Sequence, residues 1–76
     1  MKVKKAKPAL VVNFGKRIRA IREEQGLSQE ALGQKAGLHR TYISLIERGH
    51  KSVTLESMEK IAKALGIPMR RLLPEG

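Results

Sequence analysis

The chain has 76 residues, enough for one small domain and too few for a second hydrophobic core. It contains no cysteine, which excludes disulfide staples, and its two histidines, His39 and His50, are too few for a structural zinc site. Sixteen lysines and arginines against seven acids give a formal charge of +9, which favours an anionic partner without choosing among DNA, RNA, ribosome and anionic membrane.

Residues 1–7 (MKVKKAK) hold four lysines and no acid, and Pro8 closes the stretch. Residues 1–8 read as a flexible basic arm, and residues 9–76 as the folded domain. The arm carries +4, so +5 remains on the rest of the chain. A first helix is expected over 10–25, because Val11, Phe14, Ile18 and Ile21 recur at helical spacing on one face. Gly26 ends it. Ser28 suits the N-cap of a second helix over 29–36, with Ala31, Leu32 and Ala36 inward and Gly37 as its stop. A third helix starts near His39 or Arg40 and runs to about Arg48, with Ile43 and Ile46 facing the core. Thr54 caps a fourth helix over 55–65, whose inner side is Leu55, Met58, Ile61, Ala62 and Leu65. Gly66 stops it, and Pro68 opens a short fifth helix over 68–73. No segment alternates with period two, so the chain reads as all-α.

The informative stretch is LSQEALGQKAGLHRTYISLIERG, residues 27–49. It places two short helices either side of a turn of about three residues that glycine opens, which is the helix-turn-helix pattern. Neither helix is long enough to stand alone, so each must pack across the other. Gly33 is expected at that crossing, where a large side chain would push the helices apart, and Leu38 plugs the turn into the core.

These strings resemble the lambda-repressor and Cro type of helix-turn-helix proteins, often called the Xre family. IRAIREEQGLSQEAL, HRTYISLIERG and TLESMEKIAKALGI follow that family's order and spacing from about Phe14 to Leu73. Within the family, HRTYIS is particularly like the controller proteins of restriction-modification systems. The resemblance implies a compact five-helix, lambda-repressor-like domain.

It also implies roles for single positions. Arg40, Thr41 and Tyr42 match the exposed first turn of the recognition helix, which enters the major groove and reads bases. Arginine there pairs with guanine, and the threonine methyl meets thymine. Gln29, at the start of the second helix, matches a phosphate contact, and a helix N-terminus adds a favourable dipole. Ser44, Arg48, Lys51 and Ser52 are further phosphate candidates. Arg22 and Glu47 match a structural ion pair between the first and third helices, which accounts for an acid beside a DNA surface.

This chain departs from the family pattern in three places. His39 stands where serine or threonine usually caps the third helix; histidine caps poorly, so that helix start is expected to depend on DNA or pH. Leu45 stands where a polar residue often reads a base, and leucine can only touch a thymine methyl or another protein. Gly33 replaces the more usual alanine, at an expected cost of roughly 0.5–1 kcal/mol.

Other functions find little support. The longest uninterrupted apolar stretch, residues 9–12, is far short of the roughly 20 residues of a membrane span, and no signal-peptide core follows the lysines. There is no cysteine nucleophile and no phosphate-binding glycine loop, and Glu23 and Glu24 diverge on a helix. No enzyme, cofactor, metal or small-molecule ligand is therefore expected. The expected protein is a cytoplasmic, sequence-specific transcriptional regulator on double-stranded DNA. One helix-turn-helix makes few base contacts, so a homodimer on a palindrome is expected. Ile67, Met69, Leu72 and Leu73 are its candidate interface, because four apolar residues in seven exceed what a short helix buries. Two rival classes remain. One is an Xre-type interaction module, such as an antitoxin or bridging factor. The other is a nonspecific basic nucleic-acid binder.

Overall fold

Phe14, Ile18 and Ile21 line the inner face of the first helix and are all buried, Ile18 completely. The structure, a computed structural model, describes residues 8–74. Four α-helices follow in order: α1 Ala9–Glu24, α2 Gln29–Ala36, α3 Arg40–Glu47 and α4 Leu55–Leu65. A 3-10 turn, Met69–Leu72, follows α4, and no strand occurs among the described residues. Of the basic arm over residues 1–8, residues 1–7 lie outside the described residues, and Pro8 is the N-cap residue of α1.

The helix ends follow local chemistry. Ser28 Oγ accepts from the Ala31 N–H at 2.9 Å, and Thr54 Oγ1 accepts from the Ser57 N–H at 3.0 Å, so each cap satisfies an amide that the helix itself cannot. Gly37 ends α2 at φ 71°, a left-handed conformation that costs glycine little. The Leu38 N–H then returns to the Gly33 carbonyl at 2.8 Å and turns the chain toward α3.

α3 is the hub of the packing, lying against both α1 and α2, while α4 packs on α2. Ile18, Leu32, Ile43, Ile46, Ile61 and Leu72 are fully buried where these elements converge. Two glycines set how close α3 comes. A Cβ on Gly15 of α1 would run into the Ile46 carbonyl, and one on Gly33 of α2 would lie 2.5 Å from the Leu38 carbonyl. Gly33 is therefore a steric requirement of the turn, and alanine would not improve on it in this backbone.

Four expectations are corrected. The fifth helix is a 3-10 turn: Arg71 N–H donates to Pro68 O at 2.9 Å and Leu73 N–H to Arg70 O at 3.3 Å, an i to i+3 pattern. Pro68 and Leu73 are both extended, and Pro74 holds Leu73 there, which leaves four residues to wind. Leu72 is fully enclosed by its own chain, so it belongs to the core and offers no surface to a partner. Leu55 is 74% exposed, because it is the first residue of α4, and that end of the helix overruns the core. His39 does cap α3: its Nδ1 accepts from the Thr41 N–H at 3.0 Å.

Candidate nucleic-acid interface

The surface centred on α3 follows from which of its positions the core takes. Ile43, Ile46 and Glu47 are buried. The opposite side of the helix is left to Arg40, Thr41 and Arg48, all exposed, with Ser44 and Leu45 half-buried between them. Lys51 and Ser52, in the loop after α3, are exposed as well. Arg40, Thr41, Ser44, Arg48, Lys51 and Ser52 thus lie along one helix and the loop that continues it.

The first turn of α3 is held from behind. The His39 side chain caps it, and the Leu38 carbonyl sits against Gly33. Tyr42 is half-buried and packs on the core. Its Oη donates to Ser57 Oγ at 3.2 Å on the first turn of α4, and Lys51 Nζ lies 6.0 Å from its ring centroid. Tyr42 is thus an edge residue tied to α4, set apart from the exposed Arg40 and Thr41.

Arg22 and Glu47 meet beneath this surface. Arg22 Nε donates to Glu47 Oε2 at 2.6 Å and Nη2 to Oε1 at 2.9 Å, a bidentate pair between residues that are each only 8% exposed. Arg22 Nη1 also donates to the Leu27 carbonyl at 2.7 Å. Its hydrogen bond to Glu47 holds the Arg22 guanidinium above its usual pKa, against the opposing effect of burial, with the charges of Glu47 and Glu23 adding to the rise. Glu47 is therefore neutralised from below.

Gln29 completes the cluster in a way that the sequence did not indicate. Its Nε2 donates to Glu47 Oε1 at 3.0 Å. The side chain expected to grip phosphate is thus anchored to α3, with one amide hydrogen on the carboxylate and one left over. Ser57, the partner of Tyr42, was missed too, since nothing local in the sequence links α4 to α3. Among the described residues, no group of three or more His, Cys, Asp or Glu side chains converges as a metal site would require. No helix among them is long and apolar enough to cross a membrane.

The arrangement is a short helix laid across a second one, with an arginine and a threonine exposed at the first turn of the outer helix. Comparison with known proteins agrees. A helix-turn-helix family model matches residues 18–72. The control protein C.BamHI of Bacillus amyloliquefaciens is 51% identical over 61 residues, covering 79% of this chain and 75% of that protein. The transcriptional regulator SinR of Bacillus subtilis is 36% identical over 63 residues, which cover 82% of this chain and 57% of SinR. The crystal structure of the restriction-modification controller protein C.AhdI from Aeromonas hydrophila superposes with a TM-score of 0.82 at 44% identity, over 83% of this chain and 96% of that one. With its motif, packing and relatives in agreement, the chain belongs to the Xre-type helix-turn-helix family of transcriptional regulators.

Proposed function

We propose that this protein reads a palindromic operator in double-stranded DNA as a homodimer and regulates transcription from it, as a controller of a restriction-modification system or of its own gene. The observation that carries the reading is the exposed first turn of α3, where Arg40 and Thr41 stand free of the core on a helix capped and braced from behind. Arg40 pairs with a guanine, Thr41 offers its methyl to a thymine, and Tyr42 reaches the groove edge. Arg48, Lys51, Ser52 and Ser44 hold the phosphate backbone. Gln29 joins them with its remaining amide hydrogen. Similarity to C.BamHI over three quarters of that protein supports the controller assignment.

Dimerisation falls to the end of the chain. Leu73 is 45% exposed, and Ile67 and Met69 are half-buried beside it. Pairing two copies places two α3 helices one DNA turn apart and doubles the number of bases read. The protein works in the cytoplasm, with its DNA. The basic arm over residues 1–8 adds nonspecific attraction to the duplex. Its last residue, Pro8, lines a surface hollow with His50, Lys51 and Ser52, on the side of the molecule that faces phosphate in this reading.

The test is selection of binding sites from random duplex DNA at physiological salt, with wild type and Arg40→Ala in parallel. A palindromic consensus that Arg40→Ala relaxes at one symmetric base pair is the expected result. No enriched sequence for the wild type would sink the reading and point to a protein partner.

A further inference from the structure

Leu45 is the one residue of the α3 outer face whose chemistry does not suit a polar surface. It lies one turn after Thr41 and one turn before Arg48, both exposed and both polar. Leu45 is half-buried. Half-buried apolar side chains such as Leu38, Tyr42, Val53 and Met58 pack against the core, but among the described residues Leu45 is not one of them. The core therefore does not account for a leucine here. Nor does helix formation require it, since several polar residues have a helix propensity close to that of leucine.

We infer that Leu45 is a specificity-determining residue that recognises the C5 methyl group of a pyrimidine in the operator. The inference rests on the DNA-reading role proposed above for α3. A leucine offers no donor or acceptor, so it cannot distinguish bases by hydrogen bonding. The apolar feature that a base pair presents in the major groove is the C5 methyl of thymine. Four residues of helix separate Thr41 from Leu45, about 6 Å along the axis. At about 3.4 Å per base pair, that is one to two steps along the groove. Thr41 and Leu45 therefore address different base pairs of the half-site. Leu45 forms an apolar spot between the polar side chains of Thr41 and Arg48. The same spot accepts 5-methylcytosine, whose methyl occupies the same place in the groove, so cytosine methylation at that position changes affinity.

The contact has a defined chemical signature. Replacing a thymine by deoxyuridine removes the methyl and leaves every hydrogen-bonding group in place. Burial of one such group is worth about a four-fold change in affinity per half-site, and roughly fifteen-fold when both halves of a palindrome are changed.

The experiment scans the selected operator with symmetric thymine-to-deoxyuridine replacements, measured with wild type, Leu45→Ala and Thr41→Ser. For the wild type, one thymine assigned to neither Arg40 nor Thr41 is expected to weaken binding about fifteen-fold on replacement. Leu45→Ala, with its fold checked by thermal melting, should bind the two duplexes equally at that position. Thr41→Ser should keep the discrimination there. The inference is overturned if no such position exists in an operator that the wild type binds specifically, or if Leu45→Ala keeps the full discrimination. If the wild type selects no operator, the DNA-reading role falls and the role of Leu45 falls with it.

Discussion

Gln29 and Glu47 are joined by a hydrogen bond of 3.0 Å from the amide Nε2 to Oε1, so the first residue of α2 and the last residue of α3 share one carboxylate. The same carboxylate takes two hydrogen bonds from Arg22 of α1. Three helices therefore meet at a single buried charge, and the relative placement of α2 and α3 depends on it. Removing one partner of such a pair strands the other, which is much worse than replacing both. Glu47→Ala should destabilise the fold by about 3 kcal/mol or more, a fall in Tm of roughly 12 °C or more in a domain this small. Replacing both partners, as Arg22→Met with Glu47→Leu, should recover most of that loss, because no buried charge is left unpaired. Thermal melts of the single and double variants decide the point; equal losses in all of them would show that the pair is no hub. DNA binding by the double variant should stay weak even where stability returns, since Gln29 has lost its anchor.

The approach of α1 to α3 is set by the missing side chain at Gly15. Its Cβ would collide with the backbone carbonyl of Ile46 in the last turn of α3, and a backbone carbonyl, which here also accepts from the Gly49 N–H at 3.0 Å, cannot swing aside as a side-chain tip can. Gly15→Ala should cost roughly 1–3 kcal/mol, although alanine is the better helix former. Gly33→Ala should behave likewise, because its Cβ would lie 2.5 Å from the Leu38 carbonyl inside the helix-turn-helix itself. The two should differ in their effect on DNA. Gly33→Ala shifts the start of α3 and weakens binding beyond its effect on stability, which parallel melts and binding curves would reveal. A rise in Tm for either variant would refute the close packing.

Local signals made much of the fold legible. The bounds of α2 and α4 could be read directly, since Ser28 and Gly37, and Thr54 and Gly66, announce start and stop within a few residues. The exposed first turn of α3 was readable because the apolar spacing of Ile43 and Ile46 leaves Arg40 and Thr41 no place in the core. What escaped depends on distant partners. The pattern put Leu55 on the inner face of α4, but whether that face has anything opposite it is a property of the whole molecule. Leu72 looked like surplus apolar surface until the core was seen to enclose it. Gly15 sits within a periodic helix and carries no turn signal. Gln29 was assigned to phosphate, and its bond to a residue 18 positions away had no trace in the sequence.

His39 holds the first turn of the recognition helix through one hydrogen bond, from the Thr41 N–H to Nδ1. Only an imidazole with an unprotonated Nδ1 can accept it. His39→Ala should therefore cost about 1 kcal/mol of stability, the usual worth of an N-cap, and His39→Ser should restore it. Because Arg40 and Thr41 follow directly, His39→Ala should also raise the operator Kd, and the serine variant should bind like wild type. An alanine variant with unchanged melting temperature would show that the cap contributes nothing in solution.

Leu73 is the exposed member of the proposed dimer patch, at 45% exposure, whereas Ile67 and Met69 already pack on their own core. A charge placed at Leu73 should therefore break pairing without emptying the core. Leu73→Glu is expected to sediment as a monomer at concentrations where the wild type is a dimer, with a Tm shift small beside that of any core variant. Its operator affinity should fall steeply while a single half-site is bound as before. Dimeric sedimentation of Leu73→Glu would move the interface elsewhere, with Leu10 and Leu55 as the other large exposed apolar residues among those described.

Residues 1–7 carry four lysines and no acid. The first described residue, Pro8, lines a hollow with Lys51 and Ser52. Each lysine that meets a phosphate releases condensed counterions and adds about 0.9 to the slope of log K against log salt. A chain lacking residues 1–7 should keep the operator preference of the full chain, because base reading belongs to α3. Its salt slope should be shallower by about 1 for each lysine engaged, and its affinity should fall for all sequences alike. Binding titrations between low and physiological salt, on operator and on unrelated duplex, measure both. An unchanged slope would assign the lysines to solubility alone. A loss confined to the operator would mean that the arm reads sequence, which backbone attraction cannot produce.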